Sequence, residues 1–318
     1  MTKTLSARAV GSSPYGIGTP PVTGSGATAL MYARYVEQDL VPAIGHLRLG
    51  DLRPGHVEKL LPDLRAAGRG PSTERKVHAV LRSALTSARR ARLVTYNAAA
   101  DVVPRTTRPA KVRPWEPTEL GAFLEHAGRH RLGALFEVLA FTGLRRGEVC
   151  GLRWADVDLE RRFLVVRSQL VEVGGRAIEG RPKTRSGEDR RVDIGERVVG
   201  ALLAHRLLQD TEREWAGYRD DDRVFAREDG RDLSPGEVSK VFTRLVAGSG
   251  LRRTRLHDLR HGAASLMLAG GVDIAVVSKR LGHSSIRVTG DIYSHLLGGV
   301  GRQAAEAAKA LVPARVTK

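Results

Sequence analysis

The chain has 318 residues, a formal charge of +17 and a pI of about 10.7, and 42% of its residues are hydrophobic, enough for two folded cores. A positive excess of this size predicts a polyanionic partner. No apolar run reaches the length of a transmembrane helix, no signal-peptide core opens the chain, and the single cysteine, Cys150, excludes an intramolecular disulfide, so a cytoplasmic protein with no membrane partner is expected.

Residues 1–26 are rich in Gly, Ser, Thr and Pro without hydrophobic period and read as disordered or loosely attached. Helical patterning starts near Ala27, and Pro42 and Gly45 predict that the segment from Leu40 is a turn rather than a continued helix. A short helix over Pro54–Leu64 and a Gly68–Pro71 loop follow, with Ser72 or Thr73 expected to cap the next helix. That helix carries Val77, Val80, Leu81, Ala84, Leu85 and Ala88 as one apolar stripe. Its opposite side holds Arg75, Lys76, Arg82, Arg89 and Arg90, either a solvated face or a surface for DNA phosphates. Residues 105–113 form a basic linker in which Arg105, Arg108 and Lys111 suit the same partner, and Pro109 keeps it extended.

Pro117 and Glu119 open a helix as N1 and N3 residues. An apolar helix over Leu132–Phe141 then meets Thr142-Gly143, a break that sets Arg145 at a helix start with Glu148 one turn on to orient it. Cys150, Leu152 and Trp154 read as core. From Phe163 to Val173 the pattern changes to a strand, turned by Gly174-Gly175, with further strands at Ala177–Ile178 and Arg191–Ile194 and a hairpin tip over Pro182–Gly187. A helix follows over Gly195–Trp215, and Ser234 or Pro235 begins another to Val246.

The densest chemistry lies between Arg255 and Tyr293. His257, Arg260 and His261 fall at i, i+3 and i+4 on one helix face, and Leu259, Ala263, Leu266 and Met267 bury the other. Gly270-Gly271 stops this helix; a second, Ile274–Leu281, ends at Gly282 and delivers His283. Tyr293 follows ten residues later. An arginine fork matches non-bridging phosphate oxygens, histidine moves a proton near neutral pH, and a phenol needs a base or cationic surroundings to attack. Singly, the two histidines also suit a satisfied pair or zinc ligands, although Asp258 stands where the metalloprotease pattern needs Glu, and Tyr293 suits simple packing.

Together, the Thr-Gly-Leu-Arg-Arg-Gly-Glu box at 142–148, His257-x-x-Arg260, Leu281-Gly282-His283 and Tyr293 resemble the tyrosine recombinase (phage integrase) family over residues 27–311. The resemblance implies a mainly α fold with a small antiparallel β-sheet: a helical, SAM-like core-binding domain at 27–104, a mixed α/β catalytic domain at 114–311 and a tail at 312–318. It implies a site-specific enzyme that cuts and rejoins DNA through a 3′-phosphotyrosine, as in integration or excision of a phage or mobile element. Tyr293 would be the nucleophile, and Arg145, Arg260 and His283 the phosphate ligands, with Glu148 in support. His257 would be the proton acceptor and Lys183 the hairpin lysine that protonates the leaving oxygen, with Arg181 and Arg185 as neighbouring alternatives. Neither metal nor cofactor is implied. The implied partners are double-stranded attachment sites, further copies in a tetramer and a DNA-bending or directionality factor, in a prokaryotic cytoplasm. Residues 301–311 would form an amphipathic tail that packs on its own domain or a neighbouring protomer. A type IB topoisomerase and an inactive DNA-binding remnant share parts of this pattern. The first 26 residues match neither the arm-binding domain nor the full first core-binding helix of longer members.

Overall fold

The computed structural model describes residues 26–106, 113–182, 187–217 and 222–293. The chain divides into two compact units, Met1–Ala110 and Lys111–Lys318. Its architecture is mainly helical with small antiparallel sheets.

In the first unit, α1 (Gly26–Tyr35), a π turn (Val36–Leu40) and α2 (Val41–Ile44) form one continuing helical path. The turn expected at Pro42 is therefore absent. In the π turn Val41 N–H bonds Val36 O, and this wider register steps past the i→i−4 bond that Pro42 has no N–H to make. The path ends at Gly45, whose amide bonds Val41 O. Helix α3 (Pro54–Ala66) precedes α4 (Pro71–Arg90). Pro71, not Ser72 or Thr73, opens α4, because its fixed φ suits the first helical position. Val77, Val80, Leu81, Leu85 and Ala88 are buried against Leu60, Leu61 and Ile44, among others. Two acids are buried with them: Asp39 takes Arg69 Nε at 2.7 Å, and Glu74 pairs with Arg65 at 3.3 Å.

The second unit begins with α5 (Pro117–Ala127), where Glu119 accepts the Glu116 amide at 2.9 Å, and continues through α6 (Gly133–Thr142) and α7 (Arg146–Gly151). Trp115, Phe123, Phe136 and Phe242 stack in its core, with Trp115–Phe123 centroids 4.9 Å apart. Cys150 is fully buried, which pushes its thiol up to about 12. Leu152 is buried, and Trp154 packs on the same core with its Nε1 donating to Gln209.

The run expected as one strand is two. Strands β1 (Val157–Asp158), β2 (Phe163–Val166) and β5 (Arg190–Asp193) form one antiparallel sheet in the order β1-β2-β5. Strands β3 (Gln169–Val173) and β4 (Arg176–Gly180) form a separate hairpin. The chain leaves the first sheet at Arg167-Ser168, where Ser168 Oγ donates to Gly151 O. Strand β3 then lies so close to α7 that a Cβ on Gly147 would meet Leu170 O at 2.6 Å, and one on Gly151 would meet Gln169 Cα at 2.8 Å.

Five helices complete the unit: α8 (Glu196–Ala216), α9 (Pro235–Gly248), α10 (Leu256–Ala269), α11 (Ile274–Leu281) and α12 (Ile286–Tyr293). Ser234 and Glu237 exchange hydrogen bonds as a capping box at the start of α9. Among the described residues no helix is long and apolar enough to cross a membrane. The tail expected at 301–311 lies outside the described residues.

Candidate active site

The site is assembled from three segments far apart in sequence: 142–148, 257–261 and 281–283. Helix α6 ends when Gly143 enters the left-handed region at φ 66°, and a Cβ there would collide with Leu281 Cδ2. Two residues later Arg145 is the N-cap of α7. Its backbone amide donates to Glu148 Oε2 at 2.8 Å, its Nη1 to Glu148 Oε1 at 2.8 Å, and its Nη2 to Gly282 O at 3.0 Å. Glu148 thus holds both the backbone amide and the guanidinium of Arg145.

Glu148 is 1% exposed and has a second cation on it, which the sequence reading missed. Arg190, on β5 and 8% exposed, donates Nη2 to Glu148 Oε2 at 2.6 Å and Nη1 to Oε1 at 3.1 Å. Burial opposes the charge on Glu148. Hydrogen bonding and charge from Arg190, then Arg145, outweigh it and hold the carboxyl below its usual range.

Arg260 is 5% exposed on α10, and its guanidinium spans two backbone oxygens: Nη1 to Gly143 O at 2.5 Å and Nη2 to Leu281 O at 2.6 Å. Arg190 Nε adds Arg280 O at 3.2 Å. Three consecutive carbonyls at the end of α11, on residues 280, 281 and 282, thus each accept from a different arginine: Arg190, Arg260 and Arg145. A helix C-terminus leaves its last carbonyls without intrahelical partners and carries partial negative charge, so guanidinium groups satisfy both demands there. Gly282 itself sits at φ 67°, and a Cβ on it would come within 3.1 Å of Arg190 Cδ.

The turn at Gly282 brings His283 out beside this cluster. Its Nδ1 lies 2.8 Å from Oγ1 of Thr289, a fully buried residue of α12. Burial, then the charges of Arg260 and Arg145, push His283 down to about 4. His257 is likewise pushed down to about 4, by burial first, then by His261 and Arg260, although the residue as a whole remains exposed. The His257 and His261 rings meet edge to face at 5.2 Å. Both histidines are therefore neutral near pH 7 in the DNA-free protein, able to accept as well as donate. Among the described residues no three His, Cys, Asp or Glu are grouped to hold a metal ion.

Of the residues singled out from sequence, Arg145 and Arg260 are anchored on the 282 and 281 carbonyls, Glu148 joins them through Arg145, His283 follows Gly282 in the chain, and the charges of Arg260 and Arg145 reach His257. Tyr293 is the last residue of α12, placed by its backbone; its side chain is outside the description. Lys183, Arg185, Arg108 and Lys111 lie outside the described residues. In the first unit Arg75, Lys76, Arg82, Arg89, Arg90 and Arg105 are all exposed. Arg190 left one sequence clue, a charged residue at an inward position of a strand that alternates buried and exposed.

Comparison with known proteins agrees with this architecture. The chain is 32% identical over 201 residues to the tyrosine recombinase XerC-like protein of Caldanaerobacter subterraneus, covering 59% of this chain and 51% of that protein. It is 29% identical to the ICEBs1 integrase of Bacillus subtilis, covering 58% and 51%. An integrase of Saccharopolyspora erythraea matches at 23% identity over 90% of this chain and 78% of its own length. The chain spans about half the length of the first two of these relatives. The Tn1549 transposon integrase, solved with a circular intermediate DNA, shares the fold at a TM-score of 0.73 and 22% identity, over 88% of this chain and 92% of that one. A lambda integrase tetramer bound to a Holliday junction gives 0.57 at 20% identity, over 81% and 71%. The model of the phage integrase family matches residues 115–298, more than half of the chain and all of the segments that build the site, and the protein belongs to that family of tyrosine recombinases.

Proposed function

We propose that this protein is a site-specific DNA recombinase that breaks and rejoins a phosphodiester through a 3′-phosphotyrosine, in the integration or excision of a mobile element. The observation that carries the reading is the pair of anchored arginines. Arg145 and Arg260 are held on consecutive carbonyls, with His283 on the next residue and neutral His257 facing their charge. Donors fixed in advance around one point stabilise negative charge that builds in a transition state.

In this mechanism Tyr293 attacks phosphorus, the new P–O(Tyr) bond forms as the P–O5′ bond breaks, and the phenolic proton passes to His257. Lys183 supplies the proton to the departing 5′ oxygen. Arg145, Arg260 and His283 hold the non-bridging oxygens. To donate through Nε2, neutral His283 must accept at Nδ1, which makes the Thr289 hydroxyl the donor in that pair. The covalent link keeps the energy of the phosphodiester, so rejoining is the reverse attack by the 5′ hydroxyl.

The exposed cations of α4, Arg75, Lys76, Arg82, Arg89 and Arg90, together with Arg105, Arg108 and Lys111, are assigned to the DNA backbone. Arg75, Arg82 and Arg89 recur every seventh residue and so stay on one face for about 21 Å. Double-stranded attachment sites and further copies of the chain, as a tetramer, are the proposed partners, and a prokaryotic cytoplasm the proposed setting. A nicked duplex carrying the attachment core tests the chemistry: the wild-type chain leaves a protein–DNA adduct on a denaturing gel. Tyr293→Phe binds the same duplex and leaves none. An adduct that survives Tyr293→Phe removes this residue as the nucleophile.

A further inference from the structure

Arg190 is a buried cation, bonded at all three of its nitrogens, that the proposed chemistry does not use. Four of its N–H groups reach four acceptors: the two Glu148 oxygens, Gly187 O at 3.2 Å and Arg280 O at 3.2 Å. Through Glu148 it reaches Arg145, which binds the same carboxylate from the other side. Through the Arg280 carbonyl it reaches the turn that carries His283, and its Cδ, Nε and Cζ lie under Gly282 so closely that a side chain there would displace them. One guanidinium therefore braces the 142–148 segment and the 281–283 segment against each other from beneath.

Glu148 alone would not do this. A carboxylate bound only by Arg145 leaves the Arg145–Glu148 pair a local i, i+3 contact within one short helix, tied to the end of α11 by the single Arg145–Gly282 hydrogen bond. Arg190 comes from a different element, β5, which is itself paired over its length with β2. The sheet is thereby the reference against which the phosphate-facing arginine is set. A planar fork is needed, because a single ammonium cannot span a carboxylate and a carbonyl on opposite sides.

We infer that Arg190 is a positioning residue for the strand-cleavage reaction, which sets Arg145 through Glu148 and the Gly282–His283 turn through the Arg280 carbonyl, without touching DNA. This rests on the reading of the site as a phosphotyrosine recombinase. It gives a signature that a merely structural ion pair lacks. If Arg190 acts by placing charge against the scissile phosphate, its loss matters only while that phosphate is charged. A methylphosphonate replaces one non-bridging oxygen with methyl and removes the charge that Arg145 answers.

The experiment compares full-length wild type, Arg190→Gln and Arg190→Lys on two nicked duplexes identical except for phosphate or methylphosphonate at the scissile position. Scission, duplex affinity and melting temperature are recorded for each. Arg190→Gln is expected to cut the phosphate about 100-fold more slowly, the scale of a misplacement of about 1 Å, and to bind the duplex as wild type does. On the methylphosphonate the gap to wild type should close to within about 5-fold, since the misplaced charge no longer counts. Arg190→Lys, the variant for the case where Arg190→Gln does not fold, should show the same selective loss, because it keeps a charge beside Glu148 but not the bridge. A wild-type rate for both variants on the phosphate, or equal loss on the two duplexes, overturns the inference. Failure of wild type to cut either duplex overturns the recombinase reading itself, and the inference with it.

Discussion

Two sets of arginines, one in each half of the molecule, are held in opposite ways. On α4, Arg75, Arg82 and Arg89 stand in water on the far side of a helix whose other face is core, and their positions follow from helical period alone. In the second unit Arg145, Arg190 and Arg260 are held by backbone oxygens and one buried carboxylate. The first arrangement suits attraction: long flexible cations find a polyanion anywhere along a face, and their effect falls with salt. The second suits catalysis, where orienting the donors costs nothing at the moment of reaction because folding has already fixed them. The same side chain is thus a general affinity element or a directional one according to how many of its donors the protein occupies first.

Substitutions should separate these two roles. The largest effect is expected for Arg260→Ala, which should lower the rate of adduct formation about 100- to 1000-fold with affinity changed only a few-fold. Single-turnover cleavage with the duplex saturated measures it, and a loss that appears mainly in affinity would erase the distinction between the two regions. Next is the triple change of Arg75, Arg82 and Arg89 to Gln. Binding should weaken and its dependence on log salt should flatten by about 2.7, at about 0.9 per phosphate contact, while the bound complex cleaves at the wild-type rate. An unchanged salt slope would take α4 off the DNA.

The smallest effect concerns pH. His257 and His283 are held at about 4 in the folded protein, below the ordinary value of 6.5. Between those values the unfolded chain binds more protons than the folded one, so stability is complete above about pH 6.5 and is lost as pH falls toward 4. The melting temperature should therefore drop from pH 7 to pH 5, whereas binding through the α4 face should persist, since guanidinium groups do not titrate there. A melting temperature that holds or rises over that interval would mean these histidines are not kept neutral by their surroundings.

Much of the site was legible because its residues carry short-range signals. Gly143 and Gly282 mark helix ends by their left-handed backbone, and Arg145 and His283 follow them at fixed distances. Histidine and arginine at i and i+3 share a face by helical period. For Arg190 the strand alternation marked an inward charge but not its role, since its partners at 148, 187 and 280 converge only through the tertiary fold. The break between β2 and β3 was hidden for a related reason: an unbroken apolar run does not reveal that Gly147 and Gly151 draw its second half against α7. At Pro42 the local rule was sound, but the π turn before it supplied an alternative that composition does not show.

The ladder of carbonyls at 280–282 has an evolutionary consequence. Every amino acid carries a main-chain oxygen, so residue 280 or 281 can change identity without removing the acceptor its arginine needs. Residue 282 is restricted both by its left-handed dihedral and by the Arg190 side chain against it, and glycine meets both demands. The surroundings of the anchored arginines are in this way free to drift, while their alignment is inherited through the path of the backbone.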